Sequence, residues 1–182
     1  KIGVSQDGVH EITYSDLQSL GIDVVNIDPN KIQLFGRPGG MLPLLNSEER
    51  VEDLQELAVK VEGGSDGHFN INDKVLFYGQ SPNQWEYDSI GGLFKHQIHY
   101  YSDFTYYFLR INHENGLRVQ NATAISQPED VVVTSFNDYA FRESEEVNFI
   151  KSGRKWYGDA FGYTSNRNFN FSFPNCDGPI YL

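Results

Sequence analysis

Cys176 is the one cysteine of this 182-residue chain, and it lies in the turn-like stretch "PNCDGP". A cysteine nucleophile needs a base beside it, most often His. Five histidines are present, but none carries a recognisable peptidase signature around it. Cys176 therefore reads as an incidental thiol, since reactivity is set by surroundings. A single cysteine also excludes an intramolecular disulfide and argues against a Cys-based zinc site. His96 and His99 form a second candidate, a metal pair. Residues three apart share a side on a helix but face opposite ways on a strand, and "FKHQIHYY" reads as strand. That spacing argues against zinc.

The loop "SDGHFNIND" gathers Asp66, Asn70, Asn72 and Asp73. Hard oxygen donors in a turn are what calcium takes. The order departs from an EF-hand loop, and the competing reading is an Asx turn, in which Asp and Asn bond their own backbone. Calcium at these four residues is the only cofactor the residues suggest. "GRPGG" lacks the pattern of a phosphate cradle and reads as a plain loop. Carboxylates are abundant, but abundance does not make the spaced pair that glycoside hydrolysis needs.

Trp85, Tyr87 and Trp156 lie in or near expected loops. Rings at a sandwich edge can stack on sugars; the competing reading is that they fill a core or a groove. Trp156 belongs to "SGRKWYGDAFG", which packs two cations, three large aromatics and three glycines into eleven positions. Its glycines flank short aromatic pieces, as where a chain turns between packed elements. We read it as a structural joint carried by Arg154, Trp156 and Tyr157. Arg154 and Lys155 are expected to pair with carboxylates rather than to hold substrate.

These residues need elements to hold them. "KIGVSQDGVHEITYSDLQSLG" reads as a hairpin turning at Asp7-Gly8, then a short helix over 16–20, N-capped by Ser15 and closed by Gly21. A strand is expected over 31–35, a loop over 36–46, and a strand where Leu57, Val59 and Val61 alternate with polar neighbours. Residues 74–78 read as a buried strand, and 81–92 as a loop or ragged hairpin. "LFKHQIHYY" and "FTYYFLRIN" read as two long aromatic strands. Further strands are expected in "VVVTSFNDYAF" and "NRNFNFSFP", and a short helix in "ESEEVNFIKSG". Ten or so strands with one or two short helices make a mainly β protein, an antiparallel β-sandwich-like domain. The composition shifts near residue 160. We expect a β-rich accessory domain over 1–160 and the start of a second β-sandwich over 161–182, with a strand running through "PIYL" as in an excerpt of a longer protein.

Composition narrows the partners. Hydrophobic residues make up 39% and aromatics 14%, enough for a packed core. The net charge of −11 disfavours nucleic acid, whose binding rests on neutralising phosphates with Lys and Arg. Anionic membrane surfaces are disfavoured for the same reason. No apolar run approaches the length of a transmembrane helix, so membrane insertion is not expected.

Five stretches in this order are more specific. "DGVHEITYSDLQSLGI", "NKIQLFGRPGGMLPLLN", "DGHFNINDKVLFYGQSPNQWEYD", "HYYSDFTYYFL" and "SGRKWYGDAF" together resemble the N-terminal region of the type IX secretion sortases, gingipain-like cysteine peptidases of Bacteroidetes. The resemblance spans residues 1 to about 175. It implies a non-catalytic N-terminal module of an enzyme that removes the C-terminal sorting domains of secreted cargo at the outer membrane. The family's catalytic Cys and His lie C-terminal to this region, so none transfers to this chain, Cys176 included. The resemblance further implies an extracytoplasmic location, at the cell surface or in the periplasm. It implies as partners cargo sorting domains and outer-membrane secretion components. The other class of reading is a carbohydrate-binding sandwich that uses Trp85, Tyr87 and Trp156.

Overall fold

The computed structural model describes residues 1–37, 39–124, 131–136, 138–163 and 165–180. The chain divides into two compact units, Lys1–Ala122 and Thr123–Leu182. The composition shift near residue 160 falls inside the second.

The first unit is mainly β, with antiparallel sheets. Nine strands are present among the described residues: β1 (Ile2–Val4), β2 (Gly8–Thr13), β3 (Ile32–Gly36), β4 (Gln55–Leu57), β5 (Lys60–Glu62), β6 (Lys74–Gly79), β7 (Gln84–Asp88), β8 (Leu93–Gln97) and β9 (Thr105–Ile111). One sheet has the order β1-β9-β3-β4 and a second β2-β6-β5, while β7 and β8 form a separate hairpin. Val4, Ile12, Ile32, Leu34, Val75, Phe77 and Tyr107 from the two larger sheets meet in one buried core, with Leu17 and Phe69. This is the sandwich-like arrangement that alternating apolar strands require, because each sheet must bury one face.

The expected hairpin over 2–14 does not form. β1 pairs with β9, Ile2 opposite Tyr107, and β2 pairs with β6, Val9 opposite Tyr78. Ser5–Asp7 is a corner between sheets instead. Asp7 leaves the turn chemistry of a tight hairpin and accepts a hydrogen bond from Ser81 N at 2.7 Å. A second corner breaks the strand expected around Val59. β4 joins β3, β5 joins β6, and Val59 lies between them, fully buried. Its backbone bonds a third segment, from Val59 N to Leu117 O and from Val119 N to Val59 O.

The helix, α1, spans Tyr14–Ser19, and its cap is Thr13 rather than Ser15. Thr13 Oγ1 accepts from Asp16 N at 3.2 Å, and the Asp16 carboxylate accepts from Thr13 N at 2.8 Å. The reciprocal box is made by Asp16, three residues after Thr13. The Thr13 hydroxyl also donates to Asp16 at 2.6 Å. These bonds, the side-chain one foremost, hold the Asp16 carboxyl below its ordinary value. Gly21, at φ 77°, lets Ile22 N reach Leu17 O and so ends the helix.

Arg118 fastens the segment after β9. Its guanidinium donates to Pro29 O at 2.7 Å, Ile32 O at 3.1 Å and Leu117 O at 2.9 Å. The "LFKHQIHYY" strand stops at Gln97, because His99 turns the chain. His99 Nδ1 accepts from the amides of Tyr101 and Ser102.

The second unit is different. No strand or helix forms among its described residues, where strands were expected in "VVVTSFNDYAF" and "NRNFNFSFP" and a helix in "ESEEVNFIKSG". Those segments have the alternation of strands, but a ladder also needs a partner edge, and none is supplied there. In place of the expected helix, Val147 and Tyr157 form an isolated antiparallel bridge. Gly153 turns the chain between them at φ 77°. Pro38 of the expected loop, Asn137 of the expected strand pair, and Tyr181 and Leu182 of the expected last strand lie outside the described residues.

Candidate functional site

β6 ends at Gly79, and the next residues, "QSPNQW", are held by four separate parts of the first unit. Gln80 N donates to the Tyr107 hydroxyl at 2.8 Å, so the motif starts on a core side chain of β9. Ser81 N donates to Asp7 Oδ1, in the corner between β1 and β2. Asn83 N donates to Ser81 Oγ at 3.1 Å, and Asn83 Oδ1 accepts from His99 N at 2.9 Å. Gln84 Nε2 donates to Gly39 O at 2.6 Å. The "GRPGG" loop thus has a structural use that its sequence did not suggest. A side chain at Gly39 would meet the Ser81 carbonyl, and one at Gly40 would meet the Gln84 amide.

This frame borders an open cleft of about 410 Å³ beside the hairpin. It is lined by Asp7, Gly39, Gln80, Ser81, Asn83, Gln84, Trp85, Glu86 and Gln97. Its lining residues include four with side-chain amides and two with carboxylates, and no Lys or Arg. Its size falls within the ordinary range of small-molecule pockets. Tyr107, which anchors the frame from beneath, is 1% exposed. Burial raises its hydroxyl above the ordinary tyrosine value.

The predicted residues fall in several places. Trp85 and Tyr87 lie on one face of β7, two residues apart, as the strand period requires. Trp85 stands against His96 across the hairpin at 4.9 Å between centroids, and Tyr87 against Phe94 at 5.0 Å. Trp85 is half-buried, and Tyr87 is 57% exposed. Trp156 belongs to the second unit and is 44% exposed. His96 and His99 take separate roles, one packed on Trp85 and the other capping a turn.

Three of the four calcium-candidate residues are bonded within their loop. Asp66 accepts from His68 N at 3.1 Å and from Asn70 Nδ2 at 2.9 Å, and Asp73 accepts from Asn70 N at 2.7 Å. These bonds hold the Asp66 carboxyl below its ordinary value, the His68 amide being the largest cause. Asn72 is exposed. Among the described residues, no group of three or more His, Cys, Asp or Glu is placed to hold a metal ion.

In the second unit, Tyr157 bonds Val147 through its backbone and packs its ring on Phe149 at 5.1 Å. Lys155 lies over the Tyr157 ring at 5.4 Å. Among the described residues of this unit, the ion pairs are made by cations other than Arg154 and Lys155. Asp159 is flanked by Arg142 at 3.1 Å and Arg167 at 3.4 Å, and Arg142 stacks over Phe169. Cys176 is exposed, and its thiol donates to Gly178 O.

Comparison with solved structures adds a likeness. Dimeric latent PorU from Porphyromonas gingivalis matches with a TM-score of 0.51 and 29% sequence identity, over 67% of this chain. This chain is similar to PorU. It spans 10% of the length of that PorU chain. No family model matches, and no curated protein sequence does. The likeness to PorU agrees with the resemblance drawn from the five ordered motifs, at the level of a PorU-like β-sandwich region.

Sequence reading missed most of the cleft. Asp7 looked like a turn residue, Tyr107 was one of two consecutive tyrosines in an aromatic strand, and "GRPGG" looked like a plain loop. The available signal was "YGQSPNQW" itself, in which a strand ends on glycine and four polar side chains then precede an indole.

Proposed function

We propose that this chain is a non-catalytic N-terminal module of a PorU-like type IX secretion sortase. It positions the peptidase domain and docks cargo sorting domains or outer-membrane secretion partners, outside the cytoplasm. The observation that carries this reading is the 29% identity to PorU over a shared β-rich fold. The five ordered motifs support it from the sequence side.

The test has two arms. The purified chain, incubated with a cargo protein carrying a sorting domain, should leave it intact. An in-frame deletion of residues 1–122 in the parent gene should leave the peptidase domain expressed but let unprocessed cargo accumulate. Cleavage by the isolated chain, or normal processing without it, overturns the reading.

A further inference from the structure

We propose that the open edge of β5 is a docking site for the C-terminal carboxylate of an extended peptide, with Arg118 as the anion fork and the Val61 main chain as the ladder partner. The inference stands on this edge and not on the PorU-like reading.

A second open cleft of the first unit, about 390 Å³, lies along that edge. Pro29, Asn30, Val61, the Gly63-Gly64 turn and Arg118 line it, and the lining holds no Asp or Glu. That stands out in a chain of net charge −11. Arg118 is half-buried. Its Nη1 donates to Ile32 O and Leu117 O, and its Nη2 to Pro29 O. All three partners are neutral carbonyls, so the charge has acceptors but no counter-ion among the described residues. Asp28 and Glu56 are the acids close enough to act on it, and each serves other donors. Asp28 accepts from Asn30 N, and Glu56 from Leu117 N and Gln33 Nε2. A guanidinium has five N–H groups. Nε–H and one Nη2–H therefore stay without a protein acceptor among the described residues. Those two nitrogens share one edge of the planar group, an edge that takes a carboxylate bidentately. Three bonds already fix the side chain, so a ligand meets it at little further entropic cost.

The strand edge supplies the main-chain half. Val59 N donates to Leu117 O, and Val119 N to Val59 O, so both Val59 groups face the 117–119 segment. Main-chain groups alternate sides along a strand, so those of Val61 face the same way as those of Val59, away from β6. The parallel ladder would next join Val61 N to Val119 O, and that bond is absent among the described residues. Val61 thus offers an open donor and acceptor at the cleft. Val59 and Arg118 are partners in a parallel bridge, which puts their side chains on one face, and Val61 shares it by the strand period. A chain end laid along β5 takes Val61 through its main chain and Arg118 through its terminal carboxylate, a form of strand addition. A dianionic phosphate or sulfate fits less well, because it meets one guanidinium with two carboxylates nearby. A uronate satisfies the guanidinium but leaves the Val61 pair unused.

The experiment prints hexapeptides of varied sequence in two forms, free and amidated at the C terminus, and probes them with the whole chain. The best free-carboxylate peptide is then titrated calorimetrically, beside galacturonate and inorganic phosphate. We expect the free forms to bind and amidation to weaken binding by about tenfold or more, the loss of a charge-assisted pair. Arg118→Lys keeps the charge but not the fork and should weaken binding by about tenfold as well. Because Arg118 also holds three carbonyls, Ser65→Glu serves as the second variant. Ser65 lines the cleft and is exposed. A carboxylate added there should weaken binding by about threefold with an unchanged melting temperature. Gln97→Ala, at the hairpin cleft, should bind as the parent does. No peptide binding, equal binding of the free and amidated forms, tighter binding of galacturonate or phosphate, or binding unchanged in both Arg118→Lys and Ser65→Glu overturns the proposal. Failure of the cargo-processing test leaves it standing, so the two readings fall separately.

Discussion

Tyr107→Phe removes one oxygen atom from the centre of the first unit and leaves the ring in place. The ring is 1% exposed and packs on Phe77 at 5.2 Å between centroids. Neither contact needs the hydroxyl. The hydroxyl accepts from Gln80 N at 2.8 Å, and Gln80 is half-buried. Without it, an amide N–H is left largely shielded from water with no acceptor. A buried unsatisfied donor costs about 1–3 kcal/mol. The apolar burial is unchanged, so no cavity cost adds to this. For a chain of this size the loss corresponds to roughly 2–10 °C in melting temperature. Urea unfolding followed by fluorescence should show a lower midpoint with the same slope, because the surface exposed on unfolding is unchanged. The neighbour supplies the control. Tyr106 lies on the outward face, 39% exposed, and Tyr106→Phe should stay within about 0.5 kcal/mol of the parent. Equal midpoints for the two variants would refute the claim that the Gln80 loop hangs on the core. The same experiment reads the cleft, since Tyr107→Phe should also weaken any ligand that the Gln80 loop holds.

Three further outcomes follow from geometry already described. Arg118→Ala removes bonds to three carbonyls on two segments and should cost about 2–3 kcal/mol in urea unfolding, with Arg118→Lys recovering part of it. Asp16 has a folded-state value below the ordinary one, so the unfolded chain takes up its proton first. Its contribution is present above the unfolded-state value and is lost as the pH falls through the folded one. The group is largely exposed, which limits the contribution to about 0.5–1 kcal/mol, and Asp16→Asn should remove that part of the acid limb in a pH series of melts. The Asp66 and Asp73 carboxylates already accept bonds from their own loop, so a chelator should leave the melting temperature unchanged. A fall of several degrees that calcium reverses would show a bound cation.

Much of the first unit was legible because its signals are local. "KIQLFG", "KVLFYG" and "FTYYFLRI" carry the alternation or apolar density of strands, and Gly21 marks the end of a helix through its positive φ. Pairing is not local. β1 and β2 are separated by three residues, yet each finds a partner more than sixty positions away, and no turn residue announces this. The sequence left two caps open, since Asp16 stands three residues after Thr13 and Gln18 three after Ser15. In the second unit the alternating phenylalanines specify a face without specifying a partner. The cleft was half legible: Trp85 stood out by residue type, whereas Asp7 and Tyr107 gain their roles from chain segments far away in sequence.

The Tyr107 anchor also constrains how relatives of this chain can diverge. A β-carbon at Gly36 would run into the Tyr107 ring, and one at Gly39 into the Ser81 carbonyl. Tyr107 in turn holds Gln80. Positions 36 and 107 therefore form one unit of inheritance, although they lie about seventy residues apart. A lineage that replaces Tyr107 with a smaller side chain frees Gly36 to gain a β-carbon, and it must find another acceptor for the amide at position 80. Across an alignment positions 36 and 107 should change together or not at all, while the neighbouring outward residues 106 and 108 drift independently.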